Sequence, residues 1–354
     1  MVSVFADRGY RTGLGTAFYD RVDEVRTLDR LSRCFTTVVV YGPRNVGKSE
    51  LVRYWLRRRG VDAVAVDARL ARDREVLRSL GIEVGGGVAG ALERVVGAVV
   101  GALEGLGLAG LVVRIAEALA EAVAALRRPL YVVVDEFHML PRCGSPREAL
   151  RDLEAAAATI AKGVGGEGIR LVVTVSEGFV ATAEARQRLF GYSTAWMLIE
   201  PMDTTHFTEL YREYRELYGC RQSLETVLRL VGTSPGYLRE LCALDDEALK
   251  HFVETVLRNL ETALTAAIRE LGLEPHTAME TALEAMKRGA KPMHQPQLAK
   301  LGEILTQHNI TYPKHKQDRV VYKPQIPAYQ RALEKTLEKR LDTPTQLDPR
   351  ELIQ

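Results

Sequence analysis

The sequence predicts an α/β fold, a doubly wound parallel sheet that gives way to helical modules. Three observations predict it. Short Val-rich apolar runs alternate with helix-like segments from Thr36 to Pro201. A glycine-rich loop joins the first of these runs to the first such helix. Beyond Pro201 the strand signal fades and helical periodicity takes over.

The runs expected as strands are Thr36–Tyr41, Val61–Asp67, Leu130–Asp135, Ile169–Ser176 and Trp196–Glu200. Each is short, continuous and apolar, as a strand covered on both faces must be. Gly60 follows Arg57-Arg58-Arg59 and reads as a helix C-cap. Strands alternating with helices argue for helices on both faces of one sheet. The long apolar stretch Val84–Leu126 is interrupted by Glu93, Arg94, Glu104, Arg114, Glu117 and Glu121. It therefore falls short of the ~20 apolar residues that a membrane span requires. It reads as two amphipathic helices broken around Gly105–Gly110, whose acids would also face anionic lipid at a membrane surface.

After Pro201, Asp203-Thr204-Thr205 offers an N-cap, and helices are expected over Phe207–Tyr218, Leu224–Leu230, Gly236–Leu241 and Asp246–Leu271. The chain turns near Gly272–Pro275. A third segment then reads as helix (Thr277–Arg288), a Pro-flanked break, helix (Pro296–His308), a basic loop and a short strand at Val320-Val321-Tyr322. That is the outline of a winged helix. The expected organisation is a nucleotide-binding domain over 1–201, a helical lid over 202–273, a winged helix over 274–340 and a polar, poorly ordered tail over 341–354.

Composition agrees with a soluble, cytoplasmic protein with no membrane partner. The 354 residues are 46% hydrophobic and 27% charged, and no stretch near the start has the layout of a signal peptide. Cys34, Cys143, Cys220 and Cys242 form no C-x-x-C pair, so ordinary thiols are expected. A disulfide between two of them stays open for a hyperthermophilic source. The net charge of +2 hides an asymmetry. Between Lys287 and Arg340 there are twelve Lys/Arg against four Asp/Glu. A basic carboxyl-terminal module can present a patch to double-stranded DNA, or can simply be a solvated surface.

Chemistry concentrates at the loop Gly42-Pro43-Arg44-Asn45-Val46-Gly47-Lys48-Ser49, a complete G-x-x-x-x-G-K-[ST] phosphate-binding motif lying between strand and helix. Glycines let backbone N–H groups crowd around phosphate oxygens, and the helix opening at Ser49-Glu50 points its positive end at the same anion. Lys48 is expected to reach the β- and γ-phosphates, and Ser49 to ligate Mg²⁺. Downstream, the apolar strand Leu130–Val134 ends in Asp135-Glu136. Asp135 is placed to hold the metal through water, and Glu136 to orient and deprotonate the attacking water. The next strand ends at Ser176, the first choice for a polar group touching the γ-phosphate or the water, with Thr174 second. His138 reads as a turn histidine. No N-K-x-D run is present to read guanine.

The segment Phe18–Leu28 resembles the F-x-x-R-x-x-E-x-x-x-L box that precedes the phosphate loop in archaeal AAA+-type ATPases of the STAND group. Tyr41-Gly42-Pro43-Arg44, Asp135-Glu136-Phe137, the lid-like Gly232-Thr233-Ser234-Pro235-Gly236-Tyr237-Leu238, and Tyr322-Lys323-Pro324 with Pro327–Leu333 are similar to that family too. The resemblance implies a P-loop NTPase sheet of AAA+/ASCE type, with the strand ending at Ser176 between the phosphate-loop strand and the Asp135 strand. It implies ATP or ADP as ligand, with a helical lid and winged helix folding over it. It places Asp20 and Arg21 near the adenine or the lid, and Pro235 near the base or phosphates. Two departures stand out. Tyr192 occupies the position after Gly191 where the family has an arginine, leaving Arg186, Arg188 or Arg44 as substitutes. Thr233 replaces the second glycine of the lid motif, where a φ > 0 turn would favour glycine. Arg239 reads as a helix-surface arginine, with the γ-phosphate as its alternative target.

Three functions fit these residues. The first is a nucleotide-dependent switch that hydrolyses ATP slowly. The second is an ATP-regulated, origin-recognition-like DNA-binding protein whose wing residues Lys314-His315-Lys316, Arg319 and Lys323 contact phosphates. The third is a non-hydrolysing, nucleotide-gated interaction module that uses nucleotide only as structural glue or as a signal for assembly with a protein partner or into an oligomer.

Overall fold

Ala6–Asp7 (β1) and Phe18–Tyr19 (β2) pair antiparallel, a short ribbon that no sequence signal announced. The computed structural model describes residues 5–60, 63–67, 130–136, 169–175, 194–316 and 319–353. These group into two compact units. One comprises Arg21–Tyr41 and Lys48–Ile199, the other Met1–Asp20, Gly42–Gly47 and Glu200–Gln354.

In the first of these units, helix α1 (Val22–Cys34) opens with Asp23 and Glu24 in its first turn, where negative charge suits the N-terminus. Strand β3 (Thr37–Tyr41), helix α2 (Lys48–Arg59) and strands β4 (Ala63–Asp67), β5 (Leu130–Asp135), β6 (Ile169–Val175) and β7 (Thr194–Leu198) follow. The strands form one five-stranded parallel sheet in the order β4-β5-β6-β3-β7. As the family resemblance implied, β6 lies between β3 and β5. Val38, Val39 and Val40 of β3 are fully buried, which explains the unbroken apolar run. Trp55 of α2 is buried edge-on against Tyr131, with ring centroids 5.2 Å apart. Arg59 fixes that corner by reaching Asp29 (3.0 Å) and the Tyr131 hydroxyl (2.7 Å). The helices expected within Val84–Leu126 lie outside the described residues, as does Cys143.

In the other unit, Asp203 caps α3 (Thr204–Tyr218), its carboxylate accepting from Thr205 N–H at 2.8 Å. Helix α4 (Leu224–Val231) ends at Gly232, which is followed by a 3₁₀ turn (Pro235–Tyr237) and α5 (Leu238–Ala243). The long helix α6 (Asp246–Leu271) matches its predicted bounds. It buries Leu249, Val253, Val256, Leu257, Leu260, Ala263, Leu264 and Ala267, a stripe at helical spacing. Burying each Leu or Val contributes about 1.5–3 kcal/mol, so this stripe anchors the unit. Helices α7 (Pro275–Lys287) and α8 (Pro296–Gln307) lead into β8 (Thr311–His315) and β9 (Val320–Pro324), an antiparallel pair, and then α9 (Pro327–Glu338). Part of the expected basic loop is thus strand β8. Its partner β9 supplies Tyr322, which packs so tightly on α8 that a Cβ at Gly302 would meet its ring at 2.3 Å.

Two expectations are corrected here. Cys220 and Cys242 are joined in a disulfide, tying the α3–α4 loop to α5. Their separation of 22 residues resembles no motif, so spacing alone could not pair them. The tail is not a loose end either. It forms a 3₁₀ turn (Pro344–Gln346) and a short helix α10 (Arg350–Ile353), and it buries Leu347 and Leu352. Two leucines set in a polar stretch were enough to dock it. No helix among the described residues is long and apolar enough to cross a membrane.

Candidate functional site

Parallel pairing of Val134 with Val173 sets Thr174 beside Asp135 at the carboxyl ends of β5 and β6. The fully buried Thr174 hydroxyl donates to Asp135 Oδ1 at 2.5 Å and accepts from Glu136 N–H at 2.9 Å. Ser49 Oγ, in the first turn of α2, donates to the same Asp135 oxygen at 2.7 Å. One turn further on, the Arg53 guanidinium stands 3.7 Å from Asp135 Oδ2. One carboxylate therefore gathers two hydroxyls and a nearby cation. Glu136 follows in left-handed backbone, φ 53°. Such a conformation costs a non-glycine residue about 1–2 kcal/mol and persists where neighbours hold it, as Thr174 does here.

Ser176, the favoured polar strand end, lies outside the described residues, as do His138, Arg186, Arg188 and Tyr192. The group that bonds both the Asp135 carboxylate and the Glu136 backbone is Thr174, the second choice from the sequence. The β5–β6 register is the signal that favours it. Only a residue level with Asp135 can bridge to it, and that register is invisible until the strands are paired.

The phosphate loop turns through left-handed backbone at Gly42 (φ 152°), Asn45 (φ 61°) and Gly47 (φ 100°). Nothing lies within 4 Å of a Cβ built on Gly47, so its backbone angle rather than crowding calls for glycine. Val46 and Lys48 are buried, whereas Arg44 and Asn45 are exposed. The loop main chain makes two further bonds. Asn45 O accepts from Gly236 N–H at 2.8 Å, and Arg44 N–H donates to Gln325 Oε1 at 3.0 Å. Pro235 opens the 3₁₀ turn that delivers Gly236. A Cβ at Gly236 would lie 2.8 Å from that of Asn45, so this approach requires glycine. Burial pushes the neighbouring Tyr237 hydroxyl up to about 12, helped by Tyr329 and Glu240 and opposed by Arg44 and a bond to Asn45. Arg44, Tyr237, Asn259, Gln325 and Tyr329 line a cavity of about 590 Å³.

Thr233 proves compatible with its turn. The left-handed residue is Gly232 (φ 68°), and Thr233 is not among the positive-φ positions. Its hydroxyl donates to Met202 O at 2.6 Å and its carbonyl accepts from Met202 N–H at 3.1 Å. Asp20 and Arg21 are consecutive left-handed residues, φ 59° and 67°. Asp20 Oδ2 accepts from Asp203 N–H at 3.5 Å, next to His206. Arg21 is buried and pairs with Glu24 at 2.8 Å. Glu50 of α2 faces Arg53 at 4.0 Å. Arg239 is exposed and donates to Gly13 O at 2.6 Å. In the basic region, Lys287, Lys300, Lys314 and Lys339 pair with Glu334, Glu270, Glu200 and Glu351, so part of the excess charge is neutralised locally.

Residues 18–241 match the family described as an ATPase domain predominantly from Archaea. Among solved structures, the chain is similar to the Walker-type ATPase of Pyrococcus abyssi, at 18% identity and TM-score 0.54, covering 90% of this chain and 96% of that one. It is more distantly similar to the Aeropyrum pernix ORC2 protein, at 14% identity and TM-score 0.48, covering 96% and 99% of the two chains. The A. pernix ORC1 protein in complex with DNA shares 16% identity at TM-score 0.40, covering 90% and 94%. The first of these likenesses shows the fold. No curated protein matches the sequence.

Proposed function

Because the chain belongs to the ATPase domain family found predominantly in Archaea, and is thus an ATP-binding ATPase, we propose that it works as a slowly hydrolysing nucleotide-dependent switch. The observation that carries the proposal is the cluster of Ser49, Asp135, Thr174 and Glu136 at the head of the sheet. In this reading Gly42–Ser49 wraps the triphosphate with main-chain amides, and Lys48 reaches its β- and γ-phosphates. The hydroxyl of Ser49 and the carboxylate of Asp135 are hard oxygen donors, 2.7 Å apart, and suit Mg²⁺. When bound, that ion would neutralise charge on the phosphates. Glu136 acts as general base on the attacking water, and Thr174 holds it in place. Slow turnover follows from Tyr192 standing where the family has an arginine, since such a charge can be worth about 10³–10⁵ in rate. Binding and hydrolysis then alternate two conformations, as a γ-phosphate does in other switches.

Glu136→Gln tests this reading. The variant should bind ATP as the wild type does and release almost no phosphate. Hydrolysis at the wild-type rate would remove Glu136 from its role.

The basic region supports a second reading. The order of α7, α8 and the β8–β9 pair supports reading this segment as a winged helix, and exposed Lys316 lies just past β8. A wing of this kind binds duplex DNA through phosphates, so affinity should fall steeply across a salt series. Affinity that ignores salt, or that is absent at low salt, discards this reading.

A further inference from the structure

Gln325 is a buried amide that reaches across 281 residues of sequence to the phosphate loop. Its Oε1 accepts from Arg44 N–H at 3.0 Å, its Nε2 donates to Thr311 O at 3.3 Å, and its own N–H donates to Ile310 O at 2.8 Å. One side chain thus fastens the loop to the start of β8, while its backbone fastens the end of β9 to the residue before β8. A second main-chain bond, from Gly236 N–H to Asn45 O, holds the adjacent loop residue. Asn45 sits in left-handed backbone, so the loop carries strain that these bonds must hold.

We infer that Gln325 is a positioning residue. It shapes the phosphate loop for nucleotide and makes nucleotide affinity depend on the β8–β9 segment. The physical argument is linkage. A bond that orders the loop lowers the ordering cost that nucleotide would otherwise meet. By reciprocity, nucleotide that holds the loop must stabilise the segment bonded to it. The bonds from Gln325 to Arg44 and to Thr311 both go to main-chain atoms, so this link does not depend on the identity of the side chain at Arg44. The inference rests on the proposal that Gly42–Ser49 binds nucleotide.

The test compares wild type, Gln325→Met, Gly236→Ala and Lys48→Ala by ATP titration and by hydrogen exchange of Thr311–Pro324 with and without ATP. Gln325→Met keeps the volume and loses the acceptor, and it should weaken ATP about fivefold, the worth of one hydrogen bond. In wild type, ATP should slow exchange in Thr311–Pro324, and this protection should vanish in Gln325→Met. Gly236→Ala is the second variant, usable if Gln325→Met does not fold. Its Cβ must displace Asn45, so it should also weaken ATP while leaving Gln325 to transmit protection. ATP affinity and hairpin protection both unchanged in Gln325→Met overturn the inference alone. In Gly236→Ala, ATP-induced protection that is absent although ATP binds would overturn it too. Wild type that binds no ATP, or Lys48→Ala that binds it normally, overturns the functional proposal instead.

Discussion

Replacing Thr174 by Val puts a methyl group where the hydroxyl stands at the strand tip. The side chain is fully buried and the shapes nearly coincide, so packing is preserved. Two bonds are lost. The one donated to the Asp135 carboxylate at 2.5 Å is a bond to a charged acceptor, worth about 1.5–3 kcal/mol. The one accepted from Glu136 N–H at 2.9 Å leaves a backbone donor unmade, at a cost of about 1–3 kcal/mol. The variant should therefore be about 2.5–6 kcal/mol less stable by urea titration. With Glu136 released from its held left-handed backbone, its carboxylate drifts. A shift of about 1 Å in a catalytic group can cost roughly a hundredfold in rate. Steady-state phosphate release should thus fall by about that factor while ATP affinity, set by the loop, changes little. Thr174→Ser keeps the hydroxyl and should retain most of the activity. A Thr174→Val protein with wild-type stability and wild-type turnover would refute the reasoning, because neither acid could then depend on that bond.

Other perturbations probe the second unit. Cys220→Ser should lower its stability by about 3 kcal/mol, from the loop entropy of a 22-residue closure, and reductant should lower the wild-type melting temperature likewise. A melt indifferent to both would show the disulfide to be dispensable. Gly302→Ala drives a Cβ into the Tyr322 ring at 2.3 Å and should cost about 1–3 kcal/mol, read by denaturant unfolding. A neutral result would mean that α8 and β9 are not in close contact.

The carboxyl ends of β3, β4 and β5 were legible because each has a local cause, whereas the place of β6 between β3 and β5 came from the family resemblance, and β7 starts at Thr194, two residues before its expected bounds. Strand β5 is found at its predicted bounds because its continuous apolar run, following a phosphate-binding loop, stops at two acids. Helix α6 keeps its bounds because Asp245 caps one end and Gly272 (φ 66°) closes the other. Asp203 likewise announces α3. Features set by distant partners were not legible. The bridge from Thr174 to Asp135 depends on strand register, and the grip of Gln325 on Arg44 spans most of the chain. The β1–β2 ribbon is too short to show alternation. The disulfide and the docked tail depend on where α5 and α6 place their neighbours, which no spacing rule encodes.

The most direct test is calorimetric titration of the wild-type protein and Lys48→Ala with ATP in the presence of Mg²⁺. The account predicts saturable binding by the wild type and its loss in the variant, whose loop keeps its glycines but not the cation proposed to meet the phosphates. Absence of binding by the wild type, or undiminished binding by Lys48→Ala, would contradict it.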